Sequence, residues 1–403
     1  MEHPFIPVII GTDINAYNMA ISFHEEYGIK PVVVGRVMLP FTELSSIIGA
    51  LEIHKDLNEP SAFARILLDV AQRHEKPGKK LILVGTNDPY VRLIIQNQEL
   101  LKTRYLMNYI TEDLMNQLYV KKNFYELCKD HGIDTPATFY HSCKDTAPFA
   151  EEMRYPVILK PSNGVEYYKH PFEGAQKVYR LGSLEEVNEV IQKITASGYR
   201  EDLIIQDYIP GDDSYMWDAV YYADQQGKAQ LITYAQVVLQ EHTVTAIGNY
   251  TALITRFNEE MMTKLVNFLE DLHYVGFANF DLKYDERDGK FKVFEVNIRQ
   301  GRSSYYVTFC GHNMARYLVD DLIYGKTKPL TYLKEDFLFT VVPKYVLKNF
   351  VENPQINGEI RTLIREGKWG NPLFYKNDHH FKRKLYMMAR QVNYVKKYRN
   401  NTW

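Results

Sequence analysis

The sequence predicts an α/β protein, with a Rossmann-like domain at its N-terminus and a larger mixed portion of helices and strands behind it. Three observations carry this. Short apolar runs alternate with helix-patterned segments over the N-terminal quarter, as parallel strands joined by crossover helices do. The stretch from Val275 to Gly301 reads as a hairpin rather than a strand–helix–strand unit. The chain of 403 residues is 45% hydrophobic and 24% charged, which is enough apolar material for several packed cores.

The elements follow in order. "FIPVIIGTD" (5–13) is a short apolar run ending in Gly-Thr-Asp, and the helix-like "NAYNMAISFHEEYG" comes next. "KPVVVG" (30–35) and "KLILVGTND" (80–88) are two further buried-strand candidates. Gly11 is followed by Thr, Asp, Ile, Asn and Ala, so the Gly-rich dinucleotide fingerprint is missing and the domain reads as one wall of a cleft. "LYVKKNFYELCKDHGIDTPATFY" (118–140) is an amphipathic helix, a stop at Gly132 and a Pro-marked entry into a strand. "YPVILKPSNG" (155–164) is a strand running into a polar turn. In "KVYRLGSLEEVNEVIQKITASG" (177–198) a strand precedes a helix whose Ser183 and Glu186 form a capping-box pattern. "LIIQDYIPGDDSYMWDAVYY" (203–222) places two strands around Pro-Gly, and beyond about residue 330 the pattern becomes irregular.

Bulk properties exclude several classes. The net charge of −2 gives no global field for nucleic acid or membrane. Cys128, Cys143 and Cys310 lie far apart with no CxxC spacing, which argues against a disulfide framework or a zinc site and fits a reducing cytoplasm. No apolar run reaches the roughly 20 residues a bilayer span needs. "MEHPFIPVIIGTD" lacks the basic and apolar regions of a signal peptide. His242, His312, His379 and His380 read as polar or surface residues rather than metal ligands.

The hairpin carries the chemistry. In "FKVFEVNIRQG" (291–301), alternation sends Lys292, Phe294, Val296 and Ile298 to one face and Glu295, Asn297 and Arg299 to the other. A loop of Arg287, Asp288 and Gly289, with Gly289 left-handed, sets Asp281 opposite Glu295. Two carboxylates that close repel unless a cation lies between them. With Asn297 on the same face, Asp281 and Glu295 form an all-oxygen set suited to a hard cation such as Mg²⁺, whose remaining ligands are phosphate oxygens and water. Arg299 then lies within reach of a phosphate or carboxylate.

At these residues the sequence resembles the ATP-grasp superfamily over roughly residues 118 to 325. The resemblance implies a Rossmann-like domain at 1–115, a grasp lid at 116–205, a metal and substrate subdomain at 206–330 and a basic extension at 331–403. It implies that Lys121 touches nucleotide phosphates, and that Lys160 and Ser162 of the lid strand and its loop bind phosphate. Gln206, Asp207, Tyr208 and Ile209 would frame adenine, and Asp213 would take the ribose hydroxyls. Asp281, Glu295 and Asn297 would hold two Mg²⁺ ions with ATP. Arg299, with Arg256 as second candidate, would bind a substrate carboxylate and stabilise its acyl-phosphate. The lid loop "PSNGVEYYKHPFEG" is poorer in Gly and Ser than the family's, and Asn279 stands where many relatives have Arg.

Within the superfamily the resemblance is to D-aspartate ligases and related carboxylate–amine ligases. It extends to "VIIGTDINAYNMA" at the start and "LIREGKWGNPLFYKNDHHFKRKLY" near the end. It implies an amino acid and an amine acceptor as substrates, the lysine side chain of a cell-wall peptide precursor among them, and a cytoplasmic location. A ligase for another amino acid and amine pair, and a non-catalytic nucleotide-binding protein, remain as alternatives; an NAD-linked oxidoreductase fails on the missing glycines. Segments 239–257 and 301–313 are expected to set specificity. Residues 376–403 hold eight Lys or Arg against one acid, Asp378, and read either as a solvated helix or as a contact to a phosphate-bearing acceptor or an anionic membrane surface.

Overall fold

The structure, a computed structural model, describes residues 3–145, 147–243 and 248–400. The chain divides into two compact units. One comprises Met1–His131, Asp212–Leu282 and Glu295–Trp403, and the other Gly132–Gly211 and Lys283–Phe294. The expected segments 1–115 and 331–403 thus fall in the first unit, and the expected segment 206–330 is shared by both.

The first unit opens on a five-stranded parallel sheet in the order Ala50–Ile53, Val32–Gly35, Phe5–Ile10, Lys80–Gly85, Tyr105–Leu106. Its central strands are almost wholly buried, as strands covered on both faces must be. The helix Ile14–Tyr27 starts where Asp13 accepts the N–H groups of Asn15 and Ala16, and stops at Gly28 with φ +66°. Gly11, at φ +130°, ends the first strand; a Cβ there would lie 2.1 Å from Thr86 Oγ1. The alternating pattern of the sequence is therefore met, and the turn after Ile10 serves close packing.

A second, nine-stranded sheet runs Lys290–Asn297, Gly276–Asp285, Met216–Ala223, Tyr234–Gln240, Tyr250–Arg256, Leu338–Thr340, Trp369–Gly370, with Ala229–Ile232 and Thr331–Tyr332 off this path. Most of segment 250–256, expected as part of a specificity loop, is thus buried strand, while 244–247 lie outside the described residues. The C-terminal segment is ordered by short strands and three helices, Lys344–Phe350, Pro354–Arg365 and Phe381–Asn400. Asp378 fixes the last of these: it accepts from Tyr17, Ser45 and Ser46 and pairs with Arg383 at 3.2 Å. Among the described residues no helix is long and apolar enough to cross a membrane.

The second unit is a four-stranded antiparallel sheet, Thr138–Ser142, Asp202–Asp207, Val157–Pro161, Tyr179–Leu181, with the helix Leu184–Ala196 on its core. Ser183 accepts from the Glu186 N–H, and the Glu186 carboxylate reaches back to the Gly182 N–H at 2.7 Å. The capping residues are those the sequence singles out, with the return bond one residue earlier.

Candidate active site

The hairpin forms with a turn one residue longer than the three expected: its strands end at Asp285 and resume at Lys290, leaving residues 286–289 as the loop. Gly289 takes φ +71° and donates to the Asp285 carbonyl at 2.8 Å, so the strands leave the turn antiparallel. Its base, with Asp281, Glu295 and Asn297, lies in the first unit, and its tip lies in the second. At the base, Asp281 accepts from Tyr250 Oη at 2.8 Å and from Asn297 Nδ2 at 3.1 Å. The protein crowding its carboxylate, with Glu295 and Asp218 adding negative charge, holds its pKa well above the usual carboxylate range.

Lys121 Nζ donates to Glu295 Oε2 at 3.0 Å. Lys121 is the first residue of the helix Lys121–Asp130, where a cation opposes the helix dipole. Burial disfavours its charge, but Glu295 and neighbouring groups outweigh that and raise its pKa. Lysine at this helix end gathers positive charge at the carboxylates, a local conflict of the kind found at functional sites.

Arg299 joins the row from the next position on that face. Its guanidinium donates to Asp88 Oδ2 at 2.8 Å and to Asn297 Oδ1 at 3.3 Å. Arg299 Nε is buried and finds no acceptor among the described residues. The following residue, Gln300, donates to the Gly85 carbonyl at 3.1 Å, and its own carbonyl accepts from Asn15. The row therefore ends at the carboxyl ends of the parallel strands Phe5–Ile10 and Lys80–Gly85, where open α/β sheets collect ligands.

Beneath it is a charge that sequence reasoning missed. Asp218 is fully buried, accepts from Asn279 Nδ2 at 2.7 Å and Tyr306 Oη at 2.8 Å, and burial lifts its pKa to about 6. Asn279 fits because residue 301 is Gly: a Cβ there would stand 2.3 Å from Asn279 Oδ1. The Asn at 279 was the available signal, since its amide donates to Asp218 and, with Tyr306, partly offsets the cost of burying that carboxylate.

The other candidates are placed as follows. Arg256 is held by Glu359 through two hydrogen bonds and by Gln236. It ends the strand that Tyr250 begins, six residues and roughly 20 Å from the residue that touches Asp281. The structure thus brings Arg299, and not Arg256, to the carboxylates. Asp213 accepts from the Gln240 backbone and side chain at 2.9 and 2.6 Å. In the second unit, Lys160 lies on the strand opposite Ile204, and Ser162 is exposed just beyond. Gln206 and Ile209 are buried, Gln206 donating to Thr138 Oγ1 at 2.9 Å. The carboxylate of Asp207 is clasped by Arg287, and Tyr208 carries Arg180 over its ring at 4.3 Å.

The donor set suits a hard cation: two carboxylates and an amide, with no group of three or more His, Cys, Asp or Glu found among the described residues. As placed, Asn297 turns its amide nitrogen to Asp281 and its oxygen to Arg299; a cation at Asp281 would favour the reversed amide. A separate cavity of about 600 Å³ in the first unit, lined by Glu25, Tyr305, Phe309, Lys344 and Trp369 among others, holds none of these residues.

The chain resembles known proteins at three levels. Residues 121–310 match the family model of the carbamoyl-phosphate synthase L chain ATP-binding domain. Over 409 aligned residues, covering 98% of this chain and 96% of the relative, it is 33% identical to D-aspartate ligase of Enterococcus faecium (strain Aus0004). Among solved structures, it resembles L-amino acid ligase from Bacillus licheniformis at a TM-score of 0.55 and 17% identity, covering 80% of this chain and 75% of that one. It resembles the biotin carboxylase domain of Hydrogenobacter thermophilus 2-oxoglutarate carboxylase, solved with MgADP and bicarbonate, at a TM-score of 0.60 and 15% identity, covering 83% and 72%. The chain belongs to the ATP-grasp superfamily, among the ADP-forming carboxylate–amine ligases that include D-aspartate ligase.

Proposed function

We propose that this enzyme joins D-aspartate to the side-chain amine of a lysine in a cell-wall peptide precursor, in the cytoplasm. The likeness to D-aspartate ligase along nearly the whole chain supports the substrate pair. The observation that carries the chemistry is Arg299, whose buried Nε has no acceptor among the described residues and lies beside the Asp281–Asn297 row. A buried donor left unpaired costs roughly 1–3 kcal/mol, which a bound carboxylate would recover.

In this reading Arg299 binds the aspartate carboxylate and holds it toward the γ-phosphate of ATP. The carboxylate oxygen attacks phosphorus, ADP leaves, and an acyl-phosphate forms. The neutral amine attacks the acyl carbon, phosphate departs with the bonding pair and takes up the proton the nitrogen sheds, and an amide remains. Asp281, Glu295 and the oxygen of Asn297 would hold Mg²⁺, which neutralises charge on the phosphates. Lys121, whose ammonium lies on Glu295, would meet nucleotide phosphate. Lys160 and Ser162 would bind phosphate, and Gln206, Tyr208 and Ile209 would frame adenine. Asp207, committed to Arg287, contributes through its backbone, and Asp213 retains lone pairs for ribose hydroxyls beside those given to Gln240.

The test is ADP release by the purified chain with Mg-ATP across D- and L-amino acids, with and without a lysine-containing precursor peptide. Turnover with D-aspartate and the peptide alone is the expected result. Turnover with another pair would keep the ligase mechanism and discard this substrate.

A further inference from the structure

The basic segment 376–403 is left unused by the chemistry, and its helix, Phe381–Asn400, has two apolar faces. One is internal. Arg383, Met387, Tyr394 and Tyr398 are buried, and they pin the helix to the body of the first unit. Arg383 stacks over Tyr17 at 4.0 Å and donates to the Leu373 carbonyl, while Tyr398 donates to the Gln240 carbonyl at 2.6 Å.

The other face points outward. Phe381 is 70% exposed, Leu385 50%, Met388 47% and Val392 59%. Their spacing of four, three and four residues puts all four within an arc of about 60°, opposite the buried set. Apolar residues that large are rarely left in such a stripe without a partner. The exposed lysines Lys382 and Lys384 flank the stripe on either side, and Lys396 extends it one turn on. No acid occurs between His379 and Asn400.

We infer that this face docks the enzyme on an anionic lipid bilayer surface, with Phe381, Leu385, Met388 and Val392 entering the headgroup boundary and Lys382, Lys384 and Lys396 meeting lipid phosphates. Apolar side chains in the plane of a basic helix face are the arrangement that binds such a surface. A second copy is a poor occupant, because pairing this face with itself would set two acid-free, lysine-flanked surfaces together. The helix needs no refolding to bind, since its inner face is already anchored. The inference stands independently of the substrate pair proposed above.

The experiment is co-sedimentation of the full chain with phosphatidylcholine vesicles, with and without phosphatidylglycerol, at low and high salt. Binding is expected only with phosphatidylglycerol, and salt should weaken it. Lys382→Gln with Lys384→Gln should weaken it about 25-fold, at roughly fivefold per lysine. Phe381→Ser with Leu385→Ser should weaken it at least about tenfold. Both double variants should keep the wild-type melting temperature and ADP release in solution. No vesicle binding, or binding that neither variant changes, would overturn the inference. So would a dimer in sedimentation velocity that Phe381→Ser with Leu385→Ser dissolves, which would assign the face to a second copy.

Discussion

The base and the tip of one hairpin make opposite use of acidic side chains. At the tip, Arg287 lies against both Asp285 and Asp207, and its hydrogen bonds hold the Asp285 pKa below the ordinary carboxylate range. At the base, Asp281 has only neutral hydrogen-bond partners among the described residues, Tyr250 and Asn297, and faces more negative charge from Glu295 and Asp218. Two acids with an internal cation are scaffold. Acids crowded together with less cation than they need are a binding site, because the protein has left part of the compensation to a ligand.

The first way to break this comparison is to remove one charge at each end. Glu295→Gln should lower ADP formation by about 10²–10³-fold while leaving the melting temperature close to wild type, since the carboxylate is half-exposed and serves bound phosphate and cation. Near-normal turnover would remove the base from the reaction. Arg287→Met should do the reverse. It strands Asp285, whose side chain is 4% exposed, and should cost about 3 kcal/mol in urea unfolding, with ADP release persisting below the lowered melting point. If Arg287→Met abolished turnover without loss of stability, the tip would belong to the site.

A third variant separates proton from metal chemistry under the base. Asp218 has a folded-state pKa of about 6 against an ordinary value of 3.8. As pH rises from about 4 to about 6, the unfolded chain loses this proton first, so stability falls, by about 3 kcal/mol in all. Asp218→Asn cannot titrate, and its stability relative to wild type should therefore climb across that window and level off above it. A difference that stays flat with pH would mean that Asp218 is ionised and compensated in the folded protein.

Much of this was legible in the sequence, for identifiable reasons. The parallel sheet showed itself because its strands are buried on both faces and read as runs such as "VVV" and "LILV". The hairpin row was legible because Glu295, Asn297 and Arg299 alternate along one segment, with Asp281 on the partner strand, and Gly289 marks the turn. Three features were hidden. Lys121 meets Glu295 from 174 residues away, a pairing no local pattern encodes. Tyr250 and Asp218 reach the row from other strands of the sheet, and the 31 tyrosines gave no reason to prefer one. The C-terminal segment seemed irregular because its order comes from tertiary anchors such as Asp378 on Ser45 and Ser46 rather than from periodicity.

The smallest effect sharpens the choice between the two arginines. Arg256 and Arg299 are both half-buried and both bonded to a carboxylate, so sequence and ion pairing alone do not rank them. What differs is completeness. Arg256 spends both ends of its fork on Glu359 and its Nε on Gln236, whereas the buried Nε of Arg299 has no acceptor among the described residues. A spare donor beside the acidic row is open to a ligand there, whereas Arg256 has its directions satisfied away from that row. Arg256→Met, which keeps most of the apolar stem, should therefore cost no more than about 1 kcal/mol in urea unfolding, because its partly exposed ion pair is screened by solvent. Steady-state ADP release should stay within about twofold of wild type, with the KM for the amino acid unchanged, since removing a group outside the site leaves both ground- and transition-state binding untouched. A rise in that KM with stability intact would place Arg256 on the carboxylate, and the buried Nε of Arg299 would then need another occupant.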